Sequence, residues 1–216
     1  MTEPLLFLDE SDLRDLAAFL NRAKKLDPEA AVKLRSFGDV LAVYVAPIYS
    51  GSLLGDGPTI LGLRTMKLAN QAQLDGTFEI SSILERIDGP RSSALELAIP
   101  PATVRVAWSG VLPPRGDWEL IATLNQSEIT SWAKAGIEEV ATSLPENIGA
   151  SIANKVRLQV WGRAVGEHGL PAGAAFVLSG LGFMSQGEEI SVYASGNWLR
   201  LTSRHGHVIS KKTAGL

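Results

Sequence analysis

The 216-residue chain contains no cysteine and only three histidines. Without cysteine there are no disulfides, thiolate nucleophiles or cysteine-bound zinc sites, and the composition suits a reducing compartment. Few side chains that titrate near pH 7 are left for general acid or base catalysis. The sequence therefore favours a non-catalytic protein and predicts neither catalytic residues nor a cofactor. A hydrolase or transferase with an arginine–carboxylate site is the alternative, because residues that meet only in the fold are invisible in a sequence.

Long apolar runs are also missing. No run approaches the ~20 apolar residues of a membrane-spanning helix, and no basic segment precedes the apolar residues 5–8, so we expect no signal peptide. The glycine-rich patterns of nucleotide-binding loops and the Gly-x-Ser-x-Gly pattern of hydrolases do not occur. We expect a cytoplasmic protein that does not bind a membrane.

Two patterns that could carry chemistry are weak. Ser131 and Lys134 match the Ser-x-x-Lys pattern of serine acyl-enzymes, but both fall inside a predicted helix. His205 and His207 could bind a metal together with His168. However, His205 falls in a predicted turn, which destroys the alternation that would bring the two rings to one face. We therefore predict no metal site.

The first hundred residues show the patterns of a helix and several strands. Apolar spacing at residues 13–20 predicts a helix that begins after Asp9 or Ser11 and ends near Lys25. Residues 32–46 have the pattern of a hairpin whose turn lies at 36–39. The remaining predictions for this part are strands at 4–8, 59–68, 77–81 and 95–99, and a short helix that ends at 87.

The middle of the chain is predicted to be helical and its end to consist of strands. After a strand at 119–124, helices are predicted at 127–143 and 151–165, with Ile137 and Ile152 among the inward apolar residues, although 156–161 could instead form a strand. A buried helix at 172–181 is predicted to end at Gly182. Three strands follow between 190 and 210. This order favours an α+β fold with antiparallel sheets and a helical middle segment.

The net charge of −3 conceals an uneven distribution. Residues 1–154 carry 13 basic and 20 acidic side chains, whereas residues 155–216 carry 7 and 3. Such a chain could self-associate head to tail or present its basic end to an acidic partner, and ordinary scatter of charge is the alternative explanation. The length fits a single α+β domain over residues 1–216; a lobe boundary, if there is one, falls near residues 100–118.

The most specialised stretch is the loop Trp-Ser-Gly-Val-Leu-Pro-Pro-Arg-Gly-Asp-Trp at residues 108–118. The paired prolines stiffen it, and Gly116 allows a turn. Arg115 is therefore presented between Trp108 and Trp118 on a support with little conformational entropy to lose on binding. A guanidinium in this setting can stack on an indole while it contacts a carboxylate or phosphate. The alternative is structural, with the tryptophans in the core and Arg115 tied to a carboxylate.

The basic C-terminal third adds Trp198 and Arg200 as candidate binding residues. An aromatic and a cation on one strand could bind nucleic acid, but the negative net charge of the chain argues against a general nucleic-acid binder. Terminal amphipathic strands with Trp198 and Val208 also offer an edge that a second copy could cover, which predicts self-association, for example as a homodimer.

Several segments resemble a family of uncharacterised actinobacterial proteins of about this length. They are residues 13–20 (Leu-Arg-Asp-Leu-Ala-Ala-Phe-Leu), 38–43 (Gly-Asp-Val-Leu-Ala-Val), the 108–118 loop, 181–183 (Leu-Gly-Phe) and 198–201 (Trp-Leu-Arg-Leu). The Pro-Pro-Arg-Gly-x-Trp element is the most distinctive. The resemblance implies a bacterial cytosolic protein and carries over no activity, cofactor or catalytic residue.

Together these patterns predict a non-catalytic cytosolic binding, regulatory or protein-interaction protein. Its recognition element is the Trp-Pro-Pro-Arg-Gly loop, and its partner is another protein or a second copy of the chain. A nucleic-acid-associated role for the basic C-terminal third stays open as an alternative. The predicted binding residues are Trp108, Arg115, Trp118, Trp198 and Arg200.

Overall fold

The computed structural model describes residues 3–51, 57–89, 95–110, 112–144 and 149–212. The chain divides into two units, each with its own set of internal contacts. The first consists of Met1–Pro47 and Leu63–Ser109, and the second of Ile48–Gly62 and Gly110–Leu216.

The first unit combines two helices with antiparallel strands. Strand β2 lies between β4 and β3, and β1 pairs with β5. The elements, in chain order, are β1 (Leu5–Leu6), α1 (Glu10–Leu26), β2 (Ala31–Ile48), β3 (Ile60–Ala72), β4 (Asp75–Glu79), α2 (Ile80–Asp88), β5 (Glu96–Leu97) and a 3-10 turn (Ala107–Gly110). The last residue of β2, the first three of β3 and the last of the 3-10 turn belong to the second unit.

Helix α1 begins at the predicted cap. The Asp9 carboxylate accepts the backbone N–H groups of Ser11 and Asp12, and the Asp12 carboxylate accepts that of Asp9 in return. This reciprocal arrangement satisfies N–H groups that the first turn of a helix leaves unpaired. Lys24 and Lys25 in the last turn complement the negative end of the helix dipole.

The hairpin predicted at residues 32–46 is wrong, because β2 continues through the predicted turn as one strand of 18 residues. Its first part, Ala31–Arg35, pairs with β4 instead of with the residues that follow it. Ser36 is held by the segment after β3, donating from Oγ to the Ala72 carbonyl and accepting the Leu74 N–H, both at 2.7 Å. Within this strand, Gly38 has a φ of +64°, which interrupts the regular strand conformation.

The second unit contains a four-stranded antiparallel arrangement and three helices. The strand order is β11-β10-β9-β6, and β7 pairs with β8. The elements are β6 (Glu119–Asn125), α3 (Gln126–Ser143), α4 (Ala150–Gly162), β7 (Ala164–Val165), β8 (Leu170–Pro171), α5 (Ala172–Gly180), β9 (Glu189–Ser195), β10 (Trp198–Ser203) and β11 (Gly206–Lys211).

The helices of this unit bury different residues from those predicted. Ile137 on α3 and Ile152 on α4 were expected to point inward but are 49% and 58% exposed. The buried positions of α3 include the small residues Ala133 and Gly136, and a Cβ added at Gly136 would overlap the ring of Trp161 from α4. Close approach of the two helices thus depends on small residues, which a pattern of large apolar residues does not reveal.

Helix α5 ends in the glycine cap that the sequence predicts. Gly182 has a φ of +68°, a conformation that glycine adopts without steric penalty. The Gly182 N–H donates to the Ser179 carbonyl at 3.0 Å, and the Phe183 N–H donates to the Leu178 carbonyl at 3.0 Å. These two bonds define a Schellman motif, which satisfies carbonyls at the helix end.

The predicted α+β fold with antiparallel sheets and a helical middle segment is confirmed by this architecture. The alternative strand at 156–161 is replaced by α4. Among the described helices, none combines the length and the apolar character that crossing a membrane requires.

Candidate interaction site

The four-stranded arrangement of the second unit has two chemically different faces, since side chains alternate along each strand. One face, called the helix face here, carries apolar residues that are at most 2% exposed: Ile190, Val192, Leu199, Leu201 and Val208. Helices α3 and α5 pack against strands of this arrangement. The other face, called the aromatic face, carries side chains that pair across β9, β10 and β11: Tyr193, Trp198, Arg200, Thr202, His207 and Lys211, together with Ile209, which is opposite Arg200 on β11 and 1% exposed.

Arg200 lies at the centre of the aromatic face and contacts two aromatic rings. Its guanidinium carbon is 4.6 Å from the ring centroid of Trp118 and 4.6 Å from that of Tyr193, its cross-strand partner on β9. Both distances are within the ~6 Å range of a cation–π interaction. The Nε atom is buried and has no hydrogen-bond partner among the described residues. The ion pairs between described residues do not include Arg200.

Burial lowers the pKa values of two side chains on this face, Arg200 and His207. Burial lowers the pKa of Arg200, while Tyr193 opposes the shift; a guanidinium nevertheless stays protonated in proteins. His207, whose Nδ1 lies 3.1 Å from Thr202 Oγ1, behaves differently. Burial and, secondly, the charge of Arg200 lower the pKa of His207 to about 4. His207 is therefore neutral at pH 7, and Arg200 carries the positive charge at the centre of the face.

A second cation–aromatic pair and an exposed leucine extend the face. Lys211 Nζ lies 5.6 Å from the ring centroid of Trp198, its partner on β10. In the neighbouring row, Leu120 of β6 is opposite Tyr193, which is opposite Arg200. Leu120 is 59% exposed, so an uncovered apolar side chain lies in the same row as the stacked arginine.

The loop before β6 supplies the second ring of the stack. The Trp118 indole Nε1 donates to the Pro114 carbonyl at 3.2 Å, which closes the loop on itself. Ser195 Oγ, at the end of β9, donates to the Gly116 carbonyl at 3.4 Å. The proline-containing loop is therefore fastened to the strands that carry Arg200, as expected of a preorganised support.

An arginine from a distant strand lies over the ring of Trp118: the guanidinium carbon of Arg200 is 4.6 Å from its centroid. Arg115 is exposed on the same loop as Trp118. Gly116 was predicted to allow a turn, and the residue of this loop with a left-handed backbone conformation is the next one, Asp117, with a φ of 59°. Positive φ is tolerated better by aspartate than by most other residues.

Trp108, the other end of the predicted recognition loop, lies in the first unit within the 3-10 turn. It is 3% exposed. This burial fits the packing role that the sequence left open, and its role in binding a partner stays a prediction. Of the five predicted binding residues, the structure brings together Trp118 and Arg200 directly and places Trp198 on the same strand face.

The structure also shows a polar cluster that sequence reasoning missed. Ser185 Oγ lies 2.8 Å from His205 Nε2. Glu188, which a Glu-Glu pair in a sequence would place in solvent, has a side chain that is only 8% exposed. Its carboxylate accepts the backbone N–H groups of Arg204 at 2.8 Å and Ser185 at 3.0 Å.

This cluster closes turns instead of forming a catalytic triad. Burial opposes ionisation of Glu188, but the hydrogen bonds from the Arg204 and Ser185 backbones and the Arg204 charge outweigh it and lower the pKa of the carboxyl. Both carboxylate oxygens are therefore used by backbone N–H groups, whereas a triad needs the acid to orient the histidine. Within the described part of the chain, no group of three or more His, Asp or Glu side chains could hold a metal ion.

Two open cavities lie away from the predicted binding residues. One, of about 500 Å³, belongs to the first unit and is lined by Leu5, Gly38 and Leu74 among others. The second, also about 500 Å³, belongs to the second unit, where Pro58 faces Lys155 and Leu158 of α4. Residues of the aromatic face line neither of these two cavities.

Comparison with family models assigns both parts of the chain. Residues 1–110 match the family described as Domain of unknown function (DUF8010). The chain belongs to this family. Residues 113–215, which include the aromatic face, match a second model, Domain of unknown function (DUF8185). The match to DUF8010 ends one residue after the boundary between the two structural units. The prediction of one domain over residues 1–216 stays a prediction.

The fold is shared with solved structures of polymerase clamp proteins. A protein assigned as a DNA polymerase III beta subunit, from Eubacterium rectale ATCC 33656, is similar with a TM-score of 0.53 and 9% identity. A DNA polymerase sliding clamp from Pseudomonas aeruginosa gives 0.52 and 11%. In both cases the match covers 99% of this chain and 65% of the other chain, so this DUF8010 protein spans slightly less than two thirds of their length. No curated protein matches the chain.

Proposed function

We propose that the protein is a non-catalytic, cytoplasmic protein-interaction protein. Its recognition surface consists of the aromatic face together with the loop at residues 112–118, and Trp118, Trp198, Arg200 and Arg115 contact the partner. The observation that carries the proposal is that Arg200 lies over the rings of Trp118 and Tyr193 and forms no ion pair with a described carboxylate. Tryptophan, tyrosine and arginine are the residue types most enriched at the energetic centres of protein interfaces.

The fold gives independent support. The similar structures are described as a polymerase subunit and a sliding clamp, and a subunit works within an assembly. We extend this property to the present chain as a proposal. The enzyme alternative needs an arginine beside carboxylates, whereas the neighbours of Arg200 on this face are the rings of Trp118 and Tyr193, the apolar Ile209 and the neutral His207.

Affinity capture from an actinobacterial lysate tests the proposal, since the sequence resemblance suggests that source. The full chain and its Arg200→Met variant are compared, with Arg157→Met as the matched control because Arg157 is an exposed arginine on α4 in the same unit. We expect at least one protein to be retained by the wild type and by Arg157→Met but lost with Arg200→Met. Identical sets of captured proteins for all three would contradict the proposal.

Arg115→Ala examines the loop separately. Because Arg115 is exposed, the substitution should change the free energy of unfolding by less than ~0.5 kcal/mol. Reduced capture at an unchanged melting temperature would support a role for the loop in recognition. A melting temperature lowered by several degrees would instead show that Arg115 is a structural clamp.

A second copy of the chain is one partner that the proposal includes, because residues 1–154 are net acidic and residues 155–216 net basic. Sedimentation at high micromolar concentration tests this directly. Self-association that weakens in high salt is expected, since screening reduces the attraction between oppositely charged regions. A monomer under these conditions would leave a different protein as the partner.

A nucleic-acid-associated role is the second candidate, favoured by the fold shared with DNA polymerase clamp proteins. Fluorescence anisotropy with single-stranded and duplex DNA addresses it. Salt-sensitive binding that depends on Arg200 would favour nucleic acid, whereas its absence at physiological salt would favour the protein partner.

A further inference from the structure

We infer that the aromatic face binds a segment of a partner protein in which a carboxylate side chain lies within a few residues of an apolar one. The carboxylate pairs with Arg200, and the apolar side chain covers Leu120. The inference rests on the proposed function, since it names the chemistry of the partner that this surface would hold.

The surroundings of the Arg200 guanidinium indicate that its ligand is an anion. The guanidinium carbon lies 4.6 Å from the ring centroids of both Trp118 and Tyr193; these two contacts restrict the side chain, so less side-chain entropy remains to be lost when a ligand pairs with it. No described residue forms an ion pair with it. A planar guanidinium matches a carboxylate with two parallel hydrogen bonds.

The same geometry disfavours nucleic-acid bases as the ligand. Base binding by stacking requires free aromatic ring faces. Here, Arg200 covers one face of Trp118 and one of Tyr193, and Lys211 lies 5.6 Å over the ring of Trp198. Each ring already has a cation over one of its faces. The feature that this surface presents to a ligand is therefore the positive charge of the cations.

The apolar requirement comes from the row Leu120–Tyr193–Arg200 across β6, β9 and β10. Leu120 is 59% exposed, and its backbone is two strand spacings, about 10 Å, from that of Arg200. An extended segment advances ~3.3 Å per residue, so side chains within about four residues of each other can reach both positions. One extended segment of a partner can therefore contact both the charge of Arg200 and the apolar side chain of Leu120.

A selection of random peptides on the immobilised full chain tests the inference without a known partner. The selection is run in parallel on the wild type, on Arg200→Met and on the control Arg157→Met. Aspartate or glutamate should be enriched beside leucine, isoleucine or phenylalanine on the wild type and on Arg157→Met, and this enrichment should vanish on Arg200→Met. Selected peptides without acidic enrichment, or no selected peptides, would overturn the inference.

Binding of one selected peptide is then measured by NMR beside a twin in which its acidic residue is replaced by the matching amide. The chain has five tryptophans, and the indole N–H of Trp118 should shift while that of the buried Trp161 does not. The amide twin should bind at least about tenfold more weakly, as expected for loss of a charge-assisted hydrogen bond. Equal affinity of the twins, or shifts at Trp161 alone, would overturn the inference.

Folding and function are separated by two further measurements. Arg200→Lys keeps the charge but not the planar group, so it should fold as the wild type does and bind the peptide with an affinity between wild type and Arg200→Met. If Arg200→Met still captures the same cellular proteins, the proposed function itself fails. If capture is lost but the amide twin binds as well as the acidic peptide, only the inferred carboxylate is wrong.

Discussion

On the helix face of the C-terminal strands, Leu199 and Val208 are at most 1% exposed, whereas on the aromatic face Trp198 and Arg200 keep part of their surface in solvent. Leu199 stands between Trp198 and Arg200 in the sequence of β10 and projects from the opposite side of the strand. Burial on the helix face stabilises the fold through the hydrophobic effect. On the aromatic face, the buried Nε atom of Arg200 has no hydrogen-bond partner among the described residues. The two sides of one strand thus carry the buried core and the proposed recognition surface.

The largest expected effect is on the helix face. Leu199→Ala removes a fully buried side chain from β10 and leaves a cavity, so the free energy of unfolding should fall by about 2–5 kcal/mol. Urea denaturation measures the loss. Arg200→Met, one position further along, should change stability by no more than ~1 kcal/mol, because partly exposed cation–π contacts are weak. Equal losses of unfolding free energy for the two variants would show that the two faces do not differ in their contribution to stability.

The next effect concerns pH and the buried part of the aromatic face. The pKa of His207 is lowered from 6.5 to about 4 in the folded state, so the unfolded chain takes up the proton first as the pH falls. Stability is therefore present above pH 6.5 and lost progressively down to about pH 4. Between pH 7 and 4.5 the wild type should lose about 2–3 kcal/mol more than His207→Gln.

Denaturation curves of the two proteins at both pH values give this difference. Since other groups titrate in the same range, only the difference between wild type and variant reports on His207. Identical pH dependence of the two proteins would mean that the pKa of His207 is the same in the folded and the unfolded chain.

A smaller effect is expected in the helix layer. Alanine is favoured over glycine in a helix by ~1 kcal/mol, but a Cβ at Gly136 would overlap the ring of Trp161, and overpacking costs about 1–3 kcal/mol. Gly136→Ala should therefore lower the melting temperature. Since the Trp161 ring also stacks on Phe176 at 4.4 Å, it has little room to move. A higher melting temperature for Gly136→Ala would show that Gly136 on α3 and Trp161 on α4 are not in such close contact.

The smallest effect on stability is expected at the exposed end of the aromatic face. Leu120→Ser should change the free energy of unfolding by less than ~0.5 kcal/mol, because Leu120 is 59% exposed. Partner capture should fall nevertheless. Calorimetry and the capture assay are run on the same preparation. Unchanged capture would restrict the recognition surface to the surroundings of Arg200.

Much of the fold follows from local sequence signals. The Asp9 cap, the glycine at 182 and the C-terminal turns act through backbone chemistry of a few residues, and such signals predict boundaries well. The hairpin at 36–39 failed because glycine in a long strand looks like a turn until the pairing partner is known. The inward direction of Ile137 and Ile152 failed because small residues, which carry no periodic signal, form the helix contact.

The candidate site was predictable in part. The proline-stiffened loop and the residues Trp118, Trp198 and Arg200 stand out in the sequence, but which arginine meets which tryptophan depends on contacts between distant segments. Sequence proximity favours Arg115 over Trp118, and the structure places Arg200 there. The resemblance to actinobacterial proteins and the binding roles of all five residues stay predictions.

The cations that cover the rings of the aromatic face also have a consequence for solubility. Strand β6 stands at the end of the strand order, and an edge strand beside half-buried aromatic side chains and an exposed leucine is a surface on which chains aggregate. Arg200 and Lys211 lie over Trp118, Tyr193 and Trp198, so two chains that approach through this face bring like charges together. The charges that we infer to bind an acidic segment therefore also oppose aggregation through this face.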